Sequence, residues 1–108
     1  RLNALNDKFA ASVPSTMGRL RDARMRVDSS APDNALVAEL HQMLHTIAGS
    51  AATFGFRVLG QQARHLEQRL RVLMAFETVS SQEWQDWMAG LDESVTWAEM
   101  NPKVDQYP

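Results

Sequence analysis

The chain has 108 residues, 44% of them hydrophobic, with 11 lysines and arginines against 13 aspartates and glutamates and no cysteine. A length of this order buries one modest core, and the near-neutral charge supplies neither a basic field for nucleic acid nor a single-signed face for an anionic membrane. The missing cysteines exclude a disulfide framework, a thiolate metal site and a thiol nucleophile. No apolar run approaches the ~20 residues of a membrane span and no signal-peptide pattern opens the chain. The expectation is a cytoplasmic domain without membrane contact. The first residue is Arg1 rather than methionine, as expected of a piece of a longer polypeptide.

Glycine and proline are sparse and apolar residues recur at helical rather than alternating spacing, so the chain reads as all-α. Leu2, Leu5 and Phe9 predict a short helix over 2–12 that stops before Pro14, a residue suited to the first turn of a second helix over 14–28. Met17, Leu20, Arg24 and Val27 continue that second helix. The segment 28–34 is turn-rich, with Ser30 and Asp33 at capping-box spacing. A third helix over 33–54 carries the stripe Leu36, Leu40, Leu44, Ile47, Ala51 and Phe54, and Gly55 ends it. A fourth over 56–76 is striped by Leu59, Ala63, Leu66, Leu70 and Leu73, and a fifth over 81–99 by Trp84, Met88, Leu91, Val95 and Ala98. Ser80 and Glu83 form an S-x-x-E start signal for the last of these. Residues 1–100 are expected to form one domain and 101–108 a tail or linker. An up-down four-helix bundle with a short extra N-terminal helix hides every stripe.

The helix over 33–54 departs from a plain bundle. With Ile47 facing the core, a step of about 100° per residue places His45 on the outward face. Its outward neighbours are Ala38, His41, Ala48, Gly49 and Ala52, where a solvated face ordinarily carries Lys, Glu or Gln. Gly49 inside a helix costs about 1 kcal/mol relative to alanine. Two readings follow from the residues alone: the small side chains admit another helix of the bundle, or they leave the imidazole clear for a macromolecular partner.

The run His45-Thr46-Ile47-Ala48-Gly49-Ser50-Ala51-Ala52-Thr53-Phe54-Gly55, followed by Leu59 and Leu66-Glu67, resembles the histidine-containing phosphotransfer (HPt) domain. The histidine, the apolar Ile47, Gly49, Ser50, Ala51, Gly55 and Leu66-Glu67 match the family pattern. Ala48 stands where the family usually has lysine. The strong motif covers 41–70, and the helix order is compatible over about 2–98.

The resemblance implies a bundle of the HPt type in a bacterial two-component phosphorelay. His45 is then the phosphorylated nucleophile, taking a phosphoryl group from a receiver aspartyl phosphate or from a kinase and passing it to a receiver. Glu67 is implied to orient the imidazole and Gly49 to clear the approach. The docking face is expected to include His41, Ala48, Ser50, Ala52 and Phe56, with Arg64 supplying the positive charge that the missing lysine would bring. The implied partners are a response-regulator receiver domain and a sensor histidine kinase, in trans or in the same polypeptide, and the domain itself is expected to be monomeric. It needs no cofactor of its own, Mg2+ coming with the receiver. The residues are compatible with this chemistry: free imidazole is a good nucleophile near neutrality, and phosphoryl transfer mainly requires in-line positioning and charge neutralisation. With no P-loop or other nucleotide cradle the domain is not expected to bind ATP by itself, and the resemblance implies a phosphocarrier rather than a free-standing enzyme.

Other readings remain beside this one. Glu67 and Arg71 stand at i,i+4 and can simply pair. His41, His45 and His65 could hold zinc, although no H-E-x-x-H is present and His65 falls on a different flank of its helix from Glu67. A bundle that docks a partner through the same face without chemistry is the third. The segments 19–26 and 57–75 are net basic and the last helix with the tail is acidic. Such faces ordinarily neutralise one another across a bundle. Trp84, Trp87 and Trp97 are expected in the core.

Overall fold

The computed structural model describes residues 2–100, with side chains from residue 4 onward. Four helices follow one another: α1 (Leu2–Met25), α2 (Asn34–Thr53), α3 (Arg57–Ala75) and α4 (Ser81–Met100). Each packs on its two neighbours in a closed ring, α1 on α2 and α4, α3 on α2 and α4. The expected all-α up-down four-helix bundle is therefore found. The tail expected at 101–108 lies outside the described residues.

The short extra helix is not separate. Residues 2–25 form one continuous helix with Pro14 inside it. Proline removes one backbone donor and ordinarily breaks a helix, but Val13, Met17, Leu20 and Ala23 form one buried stripe running on past it. Burying that stripe outweighs one lost hydrogen bond, since each fully buried aliphatic side chain contributes about 1.5–3 kcal/mol. The stripe also differs from expectation at two places: Leu5 is exposed, and Arg24 turns outward to pair with Asp92 at 2.9 Å while Ala23 takes the core position. Phe9 is held between Phe54 and Phe56, with ring centroids 5.3 Å and 5.0 Å away.

The cap before α2 is shifted. Asp33 itself is the N-cap, its carboxylate accepting from the Ala35 and Leu36 amides at 2.8 and 3.3 Å. Ser30 instead donates its amide and hydroxyl to Asp28, and these bonds hold the Asp28 carboxyl below its usual range. Pro32 explains the shift, because the residue before a proline is pushed out of helical geometry and a helix cannot start at Ala31. The Ser80–Glu83 capping box forms as expected, with the Glu83 amide on Ser80 Oγ at 3.1 Å and the Ser80 amide on the Glu83 carboxylate at 3.0 Å.

Gly55 ends α2 with a φ of 81°, and the Phe56 and Gly55 amides return to the Ala51 and Ala52 carbonyls at 2.8 and 3.2 Å. This is a Schellman turn, which needs the left-handed residue that glycine supplies. It joins α2 and α3 in a tight antiparallel hairpin. Trp84, Trp87 and Trp97 are buried, and Trp87 Nε1 donates to the Leu66 carbonyl at 3.0 Å, tying α4 to α3.

The basic and acidic segments neutralise one another across the bundle in part. Arg21 makes a two-pronged contact with Glu99, Arg24 meets Asp92, and Arg26 meets Glu39 at 3.0 Å. Hydrogen bonding from Arg21 holds the Glu99 carboxyl below the usual glutamate range, against the opposing effect of partial burial. A carboxyl lowered in the folded state contributes stability above its unfolded pKa and loses it as pH falls through the folded value. Glu99→Gln is accordingly expected to melt slightly below the wild-type chain at neutral pH, by less than about 1 kcal/mol for a half-exposed pair. The difference should vanish in acid, as checked by thermal melts across a pH series.

Candidate functional site

The site begins with an absence of side chain between α2 and α3. A Cβ placed on Gly60 would lie 3.5 Å from the Ala48 carbonyl oxygen, the Ala51 Cβ and the Ala52 nitrogen. The α3 backbone thus rests directly on the Ala48–Ala52 turn of α2. Ala48 is 3% exposed and belongs to this contact, so its expected place on the docking surface is corrected. The packing reading of the small residues holds for Ala48. It does not hold for Gly49, which is exposed and where an added Cβ would meet nothing within 4 Å.

About two turns further along α3 from Gly60, the antiparallel register brings Glu67 to His45. Glu67 is buried at 5% exposure, while the His45 side chain is 64% exposed. Glu67 Oε2 lies 2.9 Å from His45 Nδ1, 3.3 Å from Arg71 Nη2 and 3.6 Å from His41 Nε2. A carboxylate oxygen only accepts, so Nδ1 is the nitrogen of His45 that carries the proton and Nε2 keeps a lone pair. The simple Glu67–Arg71 pair and the Glu67–His45 contact therefore coexist on one oxygen.

The remaining candidates divide. Ala52 is exposed beside the Gly60 contact, and Ser50 is half-buried, its carbonyl taking the Phe54 amide at 3.1 Å. Arg64 is exposed three residues before Glu67 and on the same flank of α3. Phe56 is 7% exposed and packs edge-on against Phe9, so it belongs to the core and not to the rim of a docking face. The Schellman turn at Gly55 redirects the chain there, and Phe56 packs against Phe9 of α1. His65 is exposed, and among the described residues no group of three or more His, Asp or Glu side chains is arranged to hold a metal ion. The contact of His41 with Glu67 was not read from the sequence. Its signal was there, since His41 and His45 stand at i,i+4 and an antiparallel carboxylate reaching one can reach the other.

α2 carries one carboxylate, Glu39, and no lysine or arginine, so its outward face around His45 is nearly uncharged. A bundle that presents one exposed histidine braced by a buried carboxylate from the next helix is a module built to offer an imidazole to something outside it. The family model for the Hpt domain matches residues 5–101, and the chain belongs to that family. Hpt domains are phosphocarriers of two-component systems, which work with receiver domains and kinases. No curated protein and no solved structure matches the chain. No helix among the described residues is long and apolar enough to cross a membrane.

Proposed function

We propose that His45 carries the phosphoryl group and exchanges it with the aspartate of a response-regulator receiver, or accepts it from a sensor histidine kinase, in the cytoplasm. The observation that carries this reading is the hydrogen bond at 2.9 Å from His45 Nδ1 to a buried carboxylate, on a ring that is otherwise exposed. In the forward step the Nε2 lone pair attacks phosphorus, the N–P bond forms, and the P–O bond to the donor aspartate breaks, returning a carboxylate. The ring keeps its Nδ1 proton and gains positive charge, which the Glu67 carboxylate balances. Reversal hands the group to the next receiver.

This division of labour suits a carrier. The in-line geometry needs only a fixed imidazole, while the receiver brings the metal ion, Mg2+, and its own cationic groups. Gly49 leaves the approach open, and Ala52 with the exposed part of Ser50 continues the uncharged surface. Arg64 stands in for the lysine missing at Ala48, placing a guanidinium on the α3 side of the approach where it can meet phosphoryl oxygens or an acidic receiver pocket.

The test mixes the domain with receiver domains phosphorylated by acetyl phosphate and maps acid-labile label by mass spectrometry, with His45→Gln in parallel. Label on His45 that is lost in the variant is the expected result. Direct binding of the same receivers with no label on any histidine would instead favour a bundle that docks without chemistry.

A further inference from the structure

His41 is half-buried one turn before His45, and its Nε2 is shielded from solvent and has no hydrogen-bond partner within ordinary length. The atom facing it is Glu67 Oε2 at 3.6 Å, the same oxygen that takes His45 Nδ1. A bare imidazole nitrogen cannot face a carboxylate oxygen at this range without lone pairs opposing one another. The proton of neutral His41 therefore belongs on Nε2, aimed at Glu67.

We propose that His41 is a positioning residue for the reaction at His45, acting through Glu67; the proposal rests on the reading of His45 as the phosphoryl carrier. Glu67 is attached to α3 by a flexible side chain, and Arg71, the guanidinium that contacts it from α3, is itself 65% exposed. A donor on α2 is a firmer second anchor, because His41 and His45 share one rigid helix. With His41 neutral, its Nε2–H steadies Oε2 without taking it away from His45.

The first test needs no partner and no activity. Long-range proton–nitrogen correlation spectra of the imidazole rings should show neutral His41 protonated at Nε2 and neutral His45 at Nδ1. A bare Nε2 on His41 overturns the proposal. The second uses phosphoramidate as the donor, whose P–N bond breaks with loss of ammonia as the N–P bond to His45 forms. His41→Leu keeps the apolar contact and removes the donor; it should accept label about tenfold more slowly. His41→Gln keeps an N–H near the Nε2 position, so it should recover most of the rate that His41→Leu loses. Equal rates in all three chains, or a His41→Gln rate no better than that of His41→Leu, would make His41 a packing residue only. Loss of label in His45→Gln together with unaltered His41 variants overturns this proposal alone, whereas label that persists in His45→Gln overturns the reading beneath it.

Discussion

Glu67→Gln is expected to fold, to keep an amide beside His45, and to accept the phosphoryl group about 10–100-fold more slowly than the wild-type chain. Two properties of the carboxylate are lost together. Its charge stands 2.9 Å from the ring nitrogen and offsets the positive charge that the imidazole acquires when Nε2 bonds to phosphorus. In a setting that is 5% exposed this attraction is screened less than in water. Its inability to donate also fixes the tautomer. A glutamine can turn its NH2 toward Nδ1, which stabilises the opposite tautomer with the proton on Nε2 and no lone pair to attack. Stability should change little, because the contact of Glu67 with Arg71 involves a guanidinium that is 65% exposed. Time-resolved labelling from a phosphorylated receiver, with a thermal melt of the same sample, separates the two effects. A wild-type rate would remove Glu67 from the reaction.

The bundle was legible because the stripes on α2, α3 and α4 each keep helical spacing, and the capping box at Ser80 and Glu83 marks a start that the structure reproduces. Pro14 was misleading for a physical reason. A local rule about proline competes there with the packing of Val13 and Met17 on either side of it, and only the folded chain shows that packing wins. Ala48 failed for a related reason, whereas Phe56 lies in the turn between helices and is drawn inward by its packing on Phe9. A helical wheel gives the direction of a side chain but not the closeness of the neighbouring helix, and Gly60 brings α3 near enough to cover Ala48. The His45–Glu67 pairing came from resemblance and antiparallel register. The burial of Glu67, its sharing by His41, His45 and Arg71, and the solvent-shielded nitrogen of His41 are properties of three dimensions that no periodicity carries.

Gly49→Gln is expected to raise stability and lower function at once. Glycine inside a helix costs about 1 kcal/mol relative to a good helix former, and glutamine is one. Nothing in the fold collides with the new side chain, since an added Cβ at this position meets no atom within 4 Å. The melting temperature should therefore rise by several degrees. The added side chain stands one turn from His45 on the face where a receiver must bring its aspartyl phosphate in line with Nε2. Displacing the reacting atoms by even 1 Å costs on the order of 100-fold, so transfer from a receiver should fall by about that factor. Phosphoramidate is small enough to pass the obstruction, and its labelling of His45 should stay near the wild-type rate. The contrast between the two donors, read on one sample, isolates docking from the chemistry of the imidazole. Receiver transfer that survives the substitution would mean that the bare patch beside His45 is not the surface a partner covers. A glycine that the fold does not need, kept at a cost in helix stability, would then lack a physical reason in this site.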